Sequence, residues 1–317
     1  MEIQDNELAL GIDIGGTNIA FGLVTKTGQV IFEESVPTLS FQTASDFIHF
    51  LFNHIQINQN LANIIGIGIG APNGNHFTGE IENAPNLPWK GIIPLQKITE
   101  NQFNCFVTLT NDANAAAVGE QLFGNAKDLS NFITITLGTG LGSGIVINNE
   151  LIYGEHGIAG EFGHIRIIPD GRLCKCGRKG CLETYASSTG VVRSFHELNS
   201  HSKQYSSLAF KENIDAHAIF KAAQEGDIYC MEIVEFTAQI LGSSLADFIA
   251  FSDPKAYVLF GGIAQSGSFF ADKVKIYLEQ NVLNIFKNKV EIRISDLHNQ
   301  NAAILGNAAM VFRSLSK

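Results

Sequence analysis

The chain has 317 residues, of which 45% are hydrophobic and 16% charged, and it carries a formal net charge of −10. That length can bury a sizeable core and is enough for two domains, while the acidic balance argues against a nucleic-acid partner, which needs clustered Lys and Arg. No apolar run approaches the ~20 residues of a membrane span, and the acidic start MEIQDNELAL lacks the basic-then-apolar pattern of a signal peptide, so no membrane association and a cytoplasmic location are expected.

The N-terminal third alternates strand-like and helix-like segments. LALGIDI (8–14) and IAFGLVT (19–25) are apolar runs joined by GGTN, which predicts a hairpin, and GQVIFEESV predicts a third strand paired on it. SDFIHFLFNHIQ has helical spacing and begins with a Ser-Asp cap. IIGIGIGAP (64–72) and CFVTLT (105–110) are further strands, and NDANAAAVGEQLFG opens with capping residues before an alanine-rich helix. The pattern then restarts: FITITLGTGLGSGIVINNELI (132–152) is again strand, Gly/Thr-rich turn, strand, short turn, strand. Gly16 and Gly22 fall on Gly138 and Gly144 with one offset (138 − 16 = 144 − 22 = 122), Val24 falls on Val146 and Val30 on Ile152. Two hairpins of one design imply two related domains.

Residues 191–227 are polar and read as surface helices and loops. Met231, Val234, Ala238, Leu241, Leu245 and Phe248 then form a helical stripe that ends before Pro254, either a core helix or a subunit interface. AYVLFGGIAQSG is a strand entering a glycine turn, and NAAILGNAAMVFRSL is a closing helix. Cys105 and Cys230 sit alone in apolar surroundings and read as buried thiols.

Several stretches carry chemistry. In DIGGTN (13–18), paired glycines let backbone approach a polyanion, and the amides and the Thr17 hydroxyl can donate to phosphate oxygens; the alternative is a plain tight turn. LGTGLGSG (137–144) repeats the device with Thr139 and Ser143, and two such loops at matching places suggest a pair of clamps on one phosphate chain. Asn111 and Asp112 stand where a strand ends and a helix begins, as an ordinary N-cap or with Asp112 projecting as a general base. In EFGHIRIIPDGRLCKCGRKGCLE (161–183), the pattern His164-x9-Cys174-x-Cys176-x4-Cys181 suits tetrahedral zinc with a closed, structural shell. The alternatives there are a strained Cys174–Cys176 disulfide or free thiols, and glycines 171, 177 and 180 would let the chain wrap an ion.

Together GIDIGGTNIAFGLV, APNLPW, NDANAAAVGE, ITLGTGLGSGI, GEFGHIRIIPDGRLCKCGRKGCLETYAS and LFGGIAQSG resemble the ROK family of bacterial sugar kinases and repressors, and most closely its glucokinases, over about 8–267. The resemblance implies an α/β fold of two actin-like (RNase H-like) domains flanking a nucleotide and sugar cleft, with a zinc-stabilised loop. The expected division is a small domain from 1–112 plus 302–317 and a larger one, with the zinc loop, from 113–301. It further implies ATP, Mg²⁺ and structural Zn²⁺, phosphoryl transfer to a hexose (glucose favoured, with fructose, mannose or N-acetylglucosamine as alternatives), and a homodimer or homotetramer.

Carried across by residue, Asp13, Gly15, Gly16 and Thr17 form the first phosphate loop, Gly138, Thr139, Gly140 and Gly142 the second, and Gly261 and Gly262 lie near adenosine. Asp112 is the base and Asn111 its neighbour on the sugar. Glu161, His164 and Glu183 contact other sugar hydroxyls, His164 using one ring nitrogen for zinc and the other for sugar. The loop GAPNGNHFTGE (70–80) departs from the commoner family wording, with Asn73 near a usual glycine as a further sugar contact, and Phe260 stands where a third glycine is frequent. The family's repressors carry a helix-turn-helix ahead of the kinase-like part. Only seven residues precede LALGIDIGG here, so an enzyme is expected rather than a regulator.

Overall fold

Leu8–Ile14 (β1) and Asn18–Thr25 (β2) pair antiparallel with Gly11 opposite Gly22, and Val30–Pro37 (β3) adds to β2. These are the expected strands, and they begin a computed structural model that describes residues 7–58, 63–198, 201–297 and 302–316. The helix Ala44–Asn58 (α1) is capped by Thr43, whose hydroxyl accepts the Asp46 N–H while the Asp46 carboxylate accepts the Thr43 N–H. This reciprocal box stands where a Ser-Asp cap was expected. Ile64–Gly70 (β4) lies parallel to β1. A small antiparallel sheet of Gly74–Asn75 (β5), Glu80–Glu82 (β6) and Ile92–Ile93 (β7) precedes Leu95–Phe103 (α2). Phe106–Thr110 (β8) then pairs with β4 and leads into Asp112–Leu122 (α3).

The chain divides into two units. The first comprises Met1–Asp128, Leu151–Ala159 and Asp296–Lys317. Its main sheet runs β3-β2-β1-β4-β8. One face buries Phe47, Ile48 and Leu51 of α1 with Leu95 of α2. The other is covered by the last helix of the chain, Ala302–Leu315, where Ile304, Leu305, Ala308 and Val311 are buried, and α3 packs on the outside of that helix. That cover requires the glycines of IIGIGIG: a Cβ on Gly68 would overlap the Asn307 carbonyl of the last helix, and one on Gly11 the Ile304 carbonyl. Cys105 is only half-buried, unlike the buried thiol expected, because it precedes the edge strand β8.

The second unit comprises Leu129–Glu150 and Gly160–Ser295. Its strands Phe132–Leu137 (β9), Leu141–Ile147 (β10) and Glu150–Leu151 (β11) repeat the opening motif. Three helices follow: Glu183–Ala186 (α4), Ser188–Glu197 (α5) and Ala216–Gln224 (α6). Ile228–Ser252 (α7), Ala256–Phe260 (β12), Ser268–Asn281 (α8) and Glu291–Ile294 (β13) complete the unit, and Ala302–Leu315 (α9) returns the chain to the first. The sheet runs β11-β10-β9-β12-β13, the order of the first sheet position for position. This doubled topology agrees with an actin-like fold. The offset of 122 holds for the second strand of each hairpin. The first strands differ by one more, because four residues separate Ile14 from its partner Ile19 and three separate Leu137 from Leu141.

Three expectations are corrected. The division carries α3 with the first unit, where the sequence reading broke the chain after residue 112, because α3 packs on α9 and a Cβ on Gly119 would reach Gly306. Residues 191–227 are not merely surface: Val191, Phe195, Ile219 and Phe220 belong to the core, spaced so that α5 and α6 each bury one face. And α7 is, by length and composition, apolar enough to cross a membrane, with 61% of its most apolar window buried. Val234, Ala238, Leu241, Leu245 and Phe248 pack inside the second unit, so it is a core helix, and Met231, the first residue of the expected stripe, is exposed.

Candidate active site and metal centre

In the first unit, the turn after β1 is closed by the Gly15 N–H donating to the Asn18 carbonyl at 3.0 Å, and Thr38 grips it twice, its N–H to Thr17 O (2.9 Å) and its hydroxyl to Gly15 O (2.7 Å). Gly16 has no room for a side chain because the Asn86 carbonyl would lie 2.6 Å from a Cβ. Thr17 is exposed. Asp13 is the penultimate residue of β1, partly buried between the buried Ile12 and Ile14. Its carboxyl is pushed up to about 7, first by desolvation and second by the Asp112 carboxylate.

Asn111 caps α3, its side-chain oxygen accepting the Asn114 N–H at 2.8 Å. Asp112 is the first residue of the helix and accepts its neighbour Ala113 N–H at 2.9 Å. Its side chain is exposed, yet the surrounding protein desolvates its carboxyl and raises it despite the lowering effect of backbone N–H groups. Two carboxyls that each resist ionisation, and that repel when both are charged, mark this end of the sheet as a candidate functional site.

Asn73 adopts a left-handed φ of 53° and is exposed. Its amide donates to the Glu82 carbonyl at 2.9 Å and its carbonyl accepts the Glu82 N–H at 3.1 Å, so it holds β6. The neighbouring His76 ring stacks on Tyr153, centroids 4.0 Å apart and 5° from parallel, and contacts Leu109 O at 3.3 Å; desolvation lowers its pKa. The buried Asn75 donates to the His156 carbonyl at 3.0 Å. Segment 151–159 is thus tied to the loop whose wording departs from the family.

In the second unit, the β9–β10 turn is Gly138, Thr139 and Gly140. Its carbonyls are held by the start of α5: Ser188 N–H to Gly138 O (2.8 Å) and the Thr189 hydroxyl to Thr139 O (2.9 Å). Gly142 lies within β10 opposite Thr136, not in the turn, and its N–H donates to the Thr136 hydroxyl at 3.0 Å. Gly261, with φ of 100°, sits against the end of β9, where a Cβ would be 2.9 Å from Leu137 O, and Gly262 has open space beside it. A Cβ on Gly140 would come within 3.0 Å of the Glu183 carboxylate, so the second glycine turn and Glu183 are neighbours.

His164, Cys174, Cys176 and Cys181 converge, their ligand atoms all within 4.8 Å of one another. Cys176 Sγ is 3.6 Å from Cys181 Sγ, and Cys174 Sγ is 3.7 Å from His164 Nδ1. The edge of a tetrahedron with ~2.3 Å metal–sulfur bonds is about 3.8 Å. Three sulfurs and one nitrogen at these spacings fit zinc, and no cysteine is in a disulfide. Desolvation pushes the Cys176 thiol up, but hydrogen bonds from Arg178 and the neighbouring thiols outweigh it and bring it down to about 6, which favours a thiolate ligand. Gly180 has a φ of 80° and could carry no Cβ without striking the Ile168 carbonyl. With Nδ1 turned to the tetrad, the other ring nitrogen of His164 lies 3.7 Å from Glu161 Oε2, and Glu183 Oε1 accepts from Cys174 Sγ at 3.0 Å. Both glutamates therefore border the metal ligands.

The supporting residues were not evident in the sequence. Thr38 acts on backbone carbonyls of a turn more than twenty residues away and nothing in its local spacing marks it, while Asn86 lies in APNLPW without its role against Gly16 being readable there.

Comparison with known proteins gives the class first. The structure matches the crystal structure of a ROK family glucokinase from Streptomyces griseus in complex with glucose and AMPPNP, with a TM-score of 0.81 and 32% identity over 96% of this chain and 98% of that one. It therefore has the two-domain α/β fold of the ROK sugar kinases. The chain belongs to the ROK family, whose pattern it matches over residues 9–314. Among its relatives, a glucokinase of Halalkalibacterium halodurans is 33% identical over 315 residues, 95% of this chain and 94% of that protein. A xylose repressor of Caldicellulosiruptor bescii is 32% identical over 96% of this chain and 78% of that protein.

Proposed function

We propose that the protein is an ATP-dependent hexose kinase with glucose as its favoured acceptor. The observation that carries this reading is the Asp13–Asp112 pair: two carboxyls in one unit, both raised by desolvation, one near the end of a strand that leads into a glycine turn and the other opening a helix beside Asn111. The relative from S. griseus, whose structure holds glucose and AMPPNP, supports both substrates.

The transfer proceeds in line. The sugar 6-hydroxyl oxygen forms a bond to the γ-phosphorus as the bond from that phosphorus to the β,γ-bridging oxygen breaks, and Asp112 accepts the hydroxyl proton. Asn111, whose oxygen is committed to its cap, turns its amide donor to the sugar. Glu161, His164 and Glu183 take other hydroxyls, with Asn73 as a further contact. The turns at Gly15–Thr17 and Gly138–Gly140 offer backbone amides to the phosphates, Gly142 backs the second turn from β10, and Gly261 and Gly262 leave room for adenosine. Phosphoryl transfer is mainly positioning and charge stabilisation, and Mg²⁺, when bound, would supply the neutralising charge; Asp13 would orient it through water. Zinc in the His164–Cys174–Cys176–Cys181 tetrad fills its shell with protein and acts as a brace.

A coupled assay of ATP consumption across glucose, fructose, mannose and N-acetylglucosamine tests the reading. Glucose should give the largest kcat/KM, and no turnover with any hexose would refute it. The likeness to the C. bescii repressor favours a second reading, a sugar-responsive regulator. It would bind sugar with no turnover.

A further inference from the structure

We infer that Arg172 is a positioning residue for the sugar site, a second brace on the metal loop that acts independently of the ion. The inference rests on the kinase reading above for the role of Glu183. Arg172 is 9% exposed although it is charged, and such burial is rare unless the charge is paired and hydrogen-bonded. Here its Nε donates to Glu197 Oε2 (2.8 Å), one terminal nitrogen to the carbonyls of Thr184 (2.7 Å) and Gly190 (3.2 Å), and the other to the Ser194 hydroxyl (3.0 Å). The guanidinium lies over the Tyr185 ring, 4.4 Å from its centroid. Its backbone is held as well: the N–H donates to the Tyr185 hydroxyl at 2.8 Å, and the carbonyl accepts the Gly180 N–H at 2.8 Å. A Cβ on Gly171 would strike that hydroxyl, so the residue before Arg172 has to be small.

The pattern has a direction. The metal ligands join His164 to 174–181, and none of them reaches α5. Arg172 joins the same loop to α4 and α5, and it grips the carbonyl of Thr184, the residue next to Glu183. Glu183 opens α4, a helix of one turn that is too short to hold its own geometry. Its carbonyl is also bound by the Ser187 hydroxyl at 2.6 Å. The side chain of Glu183 faces the tetrad while its backbone is fixed through Arg172. A planar fork with several fixed donors can do this; a lysine cannot. Glu197 is shared with Arg193, so loss of Arg172 does not strand that carboxylate.

The test compares Arg172→Lys and Arg172→Met in the full chain, assayed well below each variant's Tm. Both should retain zinc at the wild-type ratio by metal analysis. KM for glucose should rise about 10- to 100-fold, the scale on which a displacement of ~1 Å acts, while KM for ATP stays within about twofold. Lysine should resemble methionine rather than wild type. A glucose KM within twofold of wild type with zinc retained overturns the inference, and so does zinc loss in both variants, which would make the two braces one. Hydrogen exchange of the 183–187 amides in zinc-loaded Arg172→Lys gives a readout that needs no turnover. Protection there should fall at least tenfold, and unchanged protection overturns the inference even if the protein phosphorylates no sugar.

Discussion

Asp112 and Asp13 are raised for reasons that substitution can separate. Asp112→Asn should lower kcat by ~10²–10⁴, the usual worth of a positioned base, with sugar affinity retained in a calorimetric titration. More than about a tenth of wild-type kcat would remove Asp112 from the base role. Asp13→Asn tests the other carboxyl through stability. In the fold Asp13 holds its proton to about pH 7, whereas an unperturbed aspartate loses it near 3.8. Between those pH values the unfolded chain binds fewer protons than the folded one, so Asp13 costs stability progressively as pH rises and costs it fully above 7. The asparagine variant should therefore gain more in Tm over wild type at pH 8 than at pH 5, measured without Mg²⁺ or nucleotide. An equal gain at both, or a larger one at pH 5, contradicts the shift. Asp112 was visible in the sequence because its place at a strand-to-helix junction is local information. The elevation of Asp13 was not, since it comes from desolvation and a carboxylate about a hundred residues away.

At the scale of elements, the metal loop is where stability and recognition meet. Cys176→Ala should raise KM for sugar strongly, leave ATP binding comparatively unchanged and lower Tm, because metal affinity is coupled to folding of the loop. Purified wild type should carry close to one zinc per chain, and fully active metal-free protein would overturn the assignment of all four ligands. The convergence of His164, Cys174, Cys176 and Cys181 could be read from spacing alone, since four such donors within eighteen residues have few other uses. The strands could be read from their apolar runs, and the doubled hairpin from one offset. What escaped was amphipathicity diluted by polar neighbours: Val191 and Phe195 lie one helical turn apart among Ser, Arg and His and read as surface until α5 is seen to bury them. Arg172 escaped for the opposite reason. One of three arginines in a glycine-rich loop reads as solvated, and its partners on α4 and α5 lie 12 to 25 positions away.

For the whole molecule, the groups assigned to catalysis divide between the units, with Asp13, Asn111 and Asp112 in one and Glu161, His164 and Glu183 in the other. A kinase must also exclude water that would otherwise take the phosphoryl group, which commonly involves a closing motion on substrate. Saturating glucose should therefore reduce the radius of gyration in solution scattering, and superimposable profiles with and without glucose would count against it.

The last helix gives the fold a temporal order. Strands β1 and β4 present bare glycine backbone to α9, and α9 is made only after the entire second unit. During synthesis at about 5–20 residues per second, the stretch from Leu122 to Ala302 takes roughly ten to forty seconds. Through that interval the first unit has a finished sheet with one face waiting for its lid. The nascent chain must therefore keep that surface from other partners, while the second unit, whose residues are contiguous but for one short excursion, can complete its core before the first.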